Sequence, residues 1–195
     1  MDIFVSIIYS ICGLSYVILA GKGKYICFVF GIISSILYAT LSFKNNLWGS
    51  FLLSCLCYLP IEALSLYKWI KHTNPETKSV FKIRLTRKKF CIYFLVSLIL
   101  SVILSYFLYL HSDKSPFLDG IITIFSILGS YLTMKRAIEQ WIVWTIVNIS
   151  TIIVWFMMLK ENPESIAILV LWFVYLAFGI KYYFDWKKEI SSNQQ

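Results

Sequence analysis

Residues 141–159, WIVWTIVNISTIIVWFMML, form an uncharged run of nineteen residues. A helix of this length spans roughly 28 Å, close to the thickness of a bilayer core, so the run predicts a membrane-crossing helix. Within it, Trp141, Trp144 and Asn148 follow one another at positions i, i+3 and i+7, which places them on one stripe of the helix. Because an amide inside a bilayer is costly unless it is hydrogen-bonded, this stripe predicts either a ligand site or a helix–helix contact.

The rest of the chain has a similar composition. Its 195 residues are 59% hydrophobic and 14% charged, with a mean hydropathy of +0.74, whereas a soluble domain carries about a quarter charged residues. The sequence therefore predicts an all-α integral membrane protein with seven transmembrane helices and no separate catalytic domain. The predicted spans are 3–20, 26–43, 47–70, 88–110, 117–134, 141–159 and 164–184.

The positive charges are distributed unevenly between the two sides of the membrane. The side that holds the loops after the first, third and fifth spans and the C-terminus carries 15 of the 18 Lys and Arg residues, including those in the adjoining ends of the spans. The positive-inside rule then places the C-terminus in the cytoplasm and the N-terminus outside. The basic run at 82–89 is interpreted as a topology signal that contacts anionic lipid. The net charge of +8 is thus explained without nucleic acid as a partner.

Metal and cofactor chemistry is not indicated. All five cysteines fall within predicted spans, and Cys55 and Cys57 lie on different faces of one helix. The chain has no CxxC motif, no metal-ligand set and no Gly-rich phosphate loop. An intramembrane enzyme, which would need a nucleophile–base pair, and an accessory membrane subunit are the alternatives to a transporter.

An internal repeat predicts the architecture. At an offset of 117 residues, segment 37–71 matches segment 154–188, with Tyr58 on Tyr175 and Trp69 on Trp186. One helix separates the two triplets, so both cross the membrane in the same direction. This predicts a 3+1+3 plan of parallel repeats, a plan in which transporters bind substrate near the midplane. The predicted boundaries are 1–70 for the first repeat, 71–116 for the basic loop and helix 4, 117–188 for the second repeat and 189–195 for the tail.

The repeat is broken at the stripe of the sixth helix. At the same offset, its three side chains fall on Lys24, Cys27 and Gly31, so the two indoles and the amide are confined to the second repeat. Two indoles beside an amide suit a flat, cationic aromatic ligand. The further candidate contacts are Trp172 and Tyr175 on helix 7, the polar face Ser50, Ser54 and Tyr58 on helix 3, and Thr123 on helix 5.

Two other groups receive structural interpretations. Trp69 and Trp186 occur where an interfacial aromatic belt is expected, which is also an alternative interpretation of Trp141. Glu62 follows Pro60, which predicts a kink in helix 3. We interpret Glu62 as structural, with Lys or Arg at the cytoplasmic end as its partner, although a buried carboxylate can also relay protons.

Residues 134–144, MKRAIEQWIVW, followed by Asn148, resemble the PnuC family of vitamin transporters, in which a basic pair precedes Glu-x-Trp-x-x-Trp. The Asp119–Thr123–Ser126 spacing and the segment 47–49 are similar to helices 5 and 3 of that family. The resemblance implies a fold related to the SWEET sugar transporters and a homotrimer. It also implies facilitated diffusion of nicotinamide riboside, which a cytoplasmic kinase traps by phosphorylation.

Carried onto this chain, the resemblance makes Trp141, Trp144 and Asn148 the leading substrate contacts. We therefore expect a bacterial inner-membrane facilitator, not an enzyme, that transports nicotinamide riboside by alternating access and without a cofactor. The alternative cargo is thiamine, which is also a flat cation, or another small aromatic vitamin or nucleoside, since relatives in the family carry such compounds.

Overall fold

The computed structural model describes residues 3–44, 51–52, 54–111, 115–159 and 166–192. Its regular structure within these ranges is helical, apart from one isolated bridge between Thr73 and Val80. The helices are α1 (Ile3–Gly21), α2 (Cys27–Lys44), a π-helical turn (Ser54–Tyr58) that continues into α3 (Leu59–Lys71), α4 (Arg87–Leu110), α5 (Pro116–Met134), α6 (Gln140–Met158) and α7 (Ile166–Ser192). The predicted all-helical class is confirmed.

Four helices within the described ranges are long and apolar enough to cross a membrane, namely α4, α5, α6 and α7. The segments Ile7–Gly21 and Cys27–Thr40 are apolar but shorter. One predicted end is wrong, because α7 continues to Ser192 and not to residue 184. Its last turns are polar and include an ion pair between Lys181 and Asp185 at 3.7 Å, so the helix persists beyond its apolar part.

A π-helical turn precedes Pro60. Proline has no N–H to donate to the preceding turn, and its ring crowds the carbonyl four residues back. A π-helical turn is one way for a helix to accommodate such a break. The turn runs from Ser54 to Tyr58, so it contains two of the predicted site residues.

Contacts between residues divide the chain into two compact units. The first consists of Met1–Ile83 and Thr133–Arg136. Its centre includes Trp69, which is fully buried and packs edge-on against Phe28 with ring centroids 4.9 Å apart. The indole Nε1 donates a hydrogen bond of 2.8 Å to the carbonyl of Thr133.

The second unit consists of Arg84–Leu132 and Ala137–Gln195 and includes α4 to α7. Trp186 is fully buried there and packs edge-on against Trp141 at 5.6 Å. The belt interpretation of Trp69 and Trp186 is therefore wrong, since a belt residue faces lipid. Sequence position gives the depth of a side chain along its helix, whereas the direction that it faces depends on the neighbouring helices.

The helices α1 and α5 end in the same kind of cap. Gly23 and Arg136 have φ angles of 70° and 63°. In both cases the residue's own N–H bonds the carbonyl three residues back, and the next N–H bonds the carbonyl five residues back. This is the Schellman motif, whose left-handed position usually holds glycine. Arg136 therefore occupies a backbone conformation that carries a steric cost for a residue with a Cβ.

The helix bounds correct the register of the repeat. α5 begins and ends 113 residues after α1, and α6 begins 113 residues after α2. Between α3 and α7, Trp69 and Trp186 keep the offset of 117 and make closely similar edge-on contacts at 84° and 85°. The gapless extension to α6 was therefore wrong by four residues, about one helical turn.

Candidate functional site

Trp141 lies one residue inside α6 and is only 4% exposed. Its ring contacts Tyr182 at 5.4 Å and Trp186 at 5.6 Å, both on α7. The corrected register aligns Trp141 with Phe28, whose ring makes the corresponding contact in the first unit. Its aromatic character is thus explained by helix packing. The indole Nε1 is nevertheless buried without a hydrogen-bond partner among the residues that the structure describes.

Trp144 is half-buried and faces a different neighbour, Gly129 of α5. A Cβ built on Gly129 would lie 2.9 Å from Cε2 of the indole. The missing side chain of this glycine therefore lets the ring lie directly against the backbone of α5. Part of the ring remains accessible, in contrast to Trp141.

Asn148 is buried, with 5% of its surface exposed, one turn beyond Trp144 on α6. Gly179 of α7 lies beside this amide, since a Cβ built on Gly179 would lie 3.8 Å from Asn148 Nδ2. The same Cβ would lie 3.7 Å from Oγ1 of Thr145. Only backbone and hydrogen therefore face the amide from this point of α7.

The two units fill one corresponding layer of their three helices differently. In the first unit Gly31 is flanked by Tyr16 and Glu62, whose ring and carboxylate carbon would lie 2.9 Å and 2.8 Å from a Cβ built on Gly31. The corrected register places Trp144 at the position of Gly31. It places Gly129 at the position of Tyr16 and Gly179 at the position of Glu62. In the first unit the large side chains come from α1 and α3, and in the second unit the large side chain comes from α6.

The other predicted contacts on α5 and α7 are less closely associated with the stripe. Trp172 and Tyr175 are half-buried and pack edge-on against each other at 5.4 Å. They precede Tyr182 by two to three helical turns. Thr123 is half-buried on α5, six residues before Gly129.

The predicted polar face of helix 3 belongs to the first unit. Ser54 is fully buried, and its hydroxyl has no hydrogen-bond partner in the described part of the chain. Tyr58 is half-buried at the end of the same π-helical turn. Ser50 lies outside the described residues. A π-helical turn with an unsatisfied buried hydroxyl is typical of a functional position.

Glu62 contacts groups of its own unit. The Tyr16 hydroxyl donates a hydrogen bond to the carboxylate, and Oε2 is buried beside Gly31. The expected partner, Lys or Arg at the cytoplasmic end, is thus replaced by a tyrosine of α1. This contact supports the structural interpretation of Glu62.

Sequence reasoning missed the role of Glu139, although it quoted this residue within the family motif. Glu139 is 6% exposed, and its Oε1 accepts a hydrogen bond of 3.1 Å from the N–H of Leu85. Burial raises the pKa of the carboxyl, while this hydrogen bond and the charge of Arg84 oppose the shift. Glu139 therefore attaches the start of α6 to the segment that leads into α4. Within the described ranges, no group of three or more His, Cys, Asp or Glu residues could hold a metal ion.

Comparison with known proteins gives consistent similarities over almost the whole chain. The family model described as nicotinamide mononucleotide transporter matches residues 3–188. A nicotinamide riboside transporter PnuC from Neisseria mucosa is 30% identical over 192 residues, which cover 96% of this chain and 73% of that protein. The protein of the same name from Haemophilus influenzae is 27% identical over 189 residues, covering 96% of this chain and 80% of its own length.

A solved structure shares the fold. The crystal structure of the vitamin B3 transporter PnuC matches with a TM-score of 0.79 and 29% sequence identity. The match covers 98% of this chain and 83% of the other. The helical architecture described above is therefore that of a known membrane transporter.

Proposed function

The chain belongs to the nicotinamide mononucleotide transporter family, and on that premise we propose that it carries nicotinamide riboside across the membrane. The observation that carries the proposal is the match to two nicotinamide riboside transporters over 96% of the chain. This match includes the stripe of α6, where an accessible indole and a buried amide lie one turn apart.

We infer that Trp144 stacks on the pyridinium ring of the riboside and that Asn148 hydrogen-bonds its carboxamide or a ribose hydroxyl. Trp144 is favoured over Trp141 for stacking because its ring is partly accessible, whereas Trp141 is held between Tyr182 and Trp186. A desolvated cation–π contact contributes about 0.5–2 kcal/mol. Trp141 then supports the site through packing.

The remaining predicted contacts have more limited support. Trp172, Tyr175 and Thr123 are half-buried residues of the same unit, so part of each side chain is available to a ligand. For Ser54, the buried and unpartnered hydroxyl in the described chain is the supporting observation. Tyr58 and Ser50 stay predictions from the polar face of helix 3.

We also propose that the fold consists of two parallel three-helix repeats joined by α4, the SWEET-like 3+1+3 arrangement. Three features support this plan. α1 and α5 have the same length and end in the same cap. α2 and α6 begin at the same distance from those caps. Trp69 and Trp186 make equivalent edge-on contacts with the second helix of each triplet.

The proposed mode of transport is facilitated diffusion by alternating access, with cytoplasmic phosphorylation of the product and no chemistry performed by the chain itself. The proposed location is the bacterial inner membrane, with the N-terminus outside and the C-terminus in the cytoplasm. The distribution of Lys and Arg supports this orientation. The homotrimer is proposed from family membership alone.

Uptake by purified protein in liposomes tests the function. Radiolabelled nicotinamide riboside and thiamine are supplied in parallel, with protein-free liposomes as the control. We expect saturable uptake of nicotinamide riboside that equilibrates without ATP or an ion gradient. Uptake of thiamine alone would reassign the cargo, and uptake of neither by correctly inserted protein would contradict the transporter function.

A further inference from the structure

The second unit has two adjoining depressions whose linings include neither Trp144 nor Asn148. The first has a volume of about 130 Å³ and a charged lining that includes Arg84, Arg87 and Glu139. The second has a volume of about 280 Å³ and a mainly apolar lining between α6 and α7. Ile142 and Tyr183 line both, so the charged pocket continues directly into the apolar groove.

The charged pocket lies where apolar helices begin. Arg87 is the first residue of α4. The apolar stretch of α4 has a mean hydropathy of 2.4, and only 11% of it is buried. Glu139 immediately precedes α6, another candidate span. A group bound in this pocket would therefore lie at the depth of lipid headgroups, where Lys and Arg side chains attract anionic lipid.

The polar groups of the pocket define what it can bind. Two guanidinium groups match the oxygens of a phosphate, which arginine binds with paired hydrogen bonds. The Oε2 atom of Glu139 is buried and has no hydrogen-bond partner within the described residues. Its other oxygen is already bonded to Leu85. A complete ligand must therefore present both a phosphate and a hydrogen-bond donor.

The groove is suited to an apolar chain and not to a riboside. Ile180 and Phe184 in its wall are 46% and 59% exposed. Its one threonine, Thr145, already donates its hydroxyl proton to the carbonyl of Trp141 at 2.7 Å. Sugar hydroxyls would therefore find few partners there, whereas an acyl chain would cover the exposed side chains.

We propose that this continuous surface is a binding site for phosphatidylglycerol. The phosphate is bound by Arg84 and Arg87, a headgroup hydroxyl donates to Glu139, and one acyl chain lies in the groove between α6 and α7. The two arginines and one carboxylate give the pocket a charge that a single phosphodiester neutralises. Phosphatidylcholine lacks the donor. Phosphatidylethanolamine has a donor but no net charge, so it leaves the net positive charge of the pocket unneutralised and should bind less tightly than phosphatidylglycerol.

Native mass spectrometry of the detergent-solubilised full chain tests the site. Phosphatidylglycerol, phosphatidylethanolamine and phosphatidylcholine are titrated onto the protein and onto the variant Arg84→Gln/Arg87→Gln. The matched control is Lys88→Gln/Lys89→Gln, which removes the same charge from exposed neighbours that do not line the pocket. Because the two arginines would lose direct hydrogen bonds to the phosphate, which the two lysines do not make, the arginine variant should bind phosphatidylglycerol at least about 10-fold more weakly.

The control should bind as the wild type does, and glycerophosphoglycerol without acyl chains should not compete. An equal loss of phosphatidylglycerol binding in both variants would show that overall positive charge, and not this pocket, binds the lipid, and would overturn the proposal. Binding of phosphatidylcholine by the wild type as tight as that of phosphatidylglycerol would also overturn it. So would an arginine variant that changes its oligomeric mass but keeps its bound lipid. Thermal unfolding of both variants checks that they fold. Because the readout is lipid binding and not uptake, its failure is separate from failure of the proposed transport function.

Discussion

At the scale of single residues, glycines decide how the large side chains of the proposed site are held. Gly129 lets the indole of Trp144 lie against the backbone of α5, and Gly179 leaves space beside the amide of Asn148. The two glycines differ in how much space they leave. A Cβ on Gly129 would meet the indole at 2.9 Å, whereas a Cβ on Gly179 would meet nothing closer than 3.7 Å.

The first prediction compares the same added methyl group at these two positions. Gly129→Ala should displace the Trp144 ring, destabilise the protein by about 1–3 kcal/mol and weaken binding of nicotinamide riboside. Gly179→Ala should leave the stability and the binding of nicotinamide riboside nearly unchanged, because its methyl group would lie at ordinary van der Waals distances from its neighbours. Thermal unfolding in detergent and a binding titration measure the two effects. Equal behaviour of the two variants would show that Gly129 does not position Trp144.

The second prediction concerns the buried carboxyl of Glu139, whose pKa is raised by burial. A carboxyl with a raised pKa in the folded protein stabilises it fully below the unfolded pKa of about 4.3, and this contribution is lost as the pH rises through the folded pKa. Glu139→Gln keeps an oxygen for Leu85 N–H but does not titrate. The melting temperature of the variant relative to the wild type should therefore rise as the pH increases above about 4.3.

Melting curves between pH 4 and pH 8 test this, with the exposed Glu76→Gln as the control for loss of one negative charge. If the difference in melting temperature between Glu139→Gln and the wild type is constant with pH, the folded protein does not raise the pKa of this carboxyl.

At this scale the sequence predicted the identity of the stripe but not its contacts. Trp141, Trp144 and Asn148 were identified because their spacing fits one helix face. That Trp141 contacts α7 whereas Trp144 contacts α5 was not predictable from the sequence. It depends on glycines of other helices that face them only after folding.

At the scale of helices, α4 and α5 approach closely through small residues. Ser97, Ser101 and Ser105 recur every four residues and are the buried positions of α4. The hydroxyls of Ser101 and Ser105 bond carbonyls of their own helix, which leaves a smooth surface. A Cβ on Gly120 of α5 would lie 2.7 Å from the carbonyl oxygen of Ser101. Small residues of this kind let membrane helices pack closely.

The third prediction follows from this contact. Gly120→Ala should force the backbones of α4 and α5 apart and destabilise the protein by about 1–3 kcal/mol, because a carbonyl cannot move aside as a flexible side chain can. Ile99→Ala, at a position of α4 that is 59% exposed, is the control and should have a much smaller effect. Thermal unfolding in detergent measures both. A stable Gly120→Ala variant would contradict the close packing.

Most helix ends lay within one or two residues of their predicted positions, because a continuous apolar run bounded by charge defines a span. The exceptions have identifiable causes. The π-helical turn before Pro60 and the polar extension of α7 depend on local geometry and not on hydropathy. The register of the repeat differs by four residues at α6, which begins 113 and not 117 residues after α2, and hydropathy alone does not reveal this difference.

At the scale of the whole molecule, composition and charge predicted a membrane protein, and family membership then indicated a transporter. The similarity to a solved transporter, with a TM-score of 0.79, shows that the fold is shared over nearly the full chain. The charge distribution carries information that the helices alone do not contain, namely the direction in which the chain is inserted.

The fourth prediction is this orientation. A reporter fused after residue 195 should be active in the cytoplasm, and a reporter placed at the N-terminus should be active outside. Paired alkaline phosphatase and fluorescent protein fusions measure the two ends. Both ends on the same side would contradict seven crossings, and the opposite assignment would show that the Lys and Arg excess does not decide the topology.

The most direct test of the central claim is a calorimetric titration of nicotinamide riboside onto the wild type, Trp144→Ala and Phe156→Ala. Phe156 lies on the same helix and is 66% exposed, so it controls for loss of an aromatic ring from α6. We predict saturable binding by the wild type and by Phe156→Ala, and an affinity about 2- to 30-fold weaker for Trp144→Ala. Equal affinity of all three proteins would contradict the assignment of the substrate to the indole and amide of α6.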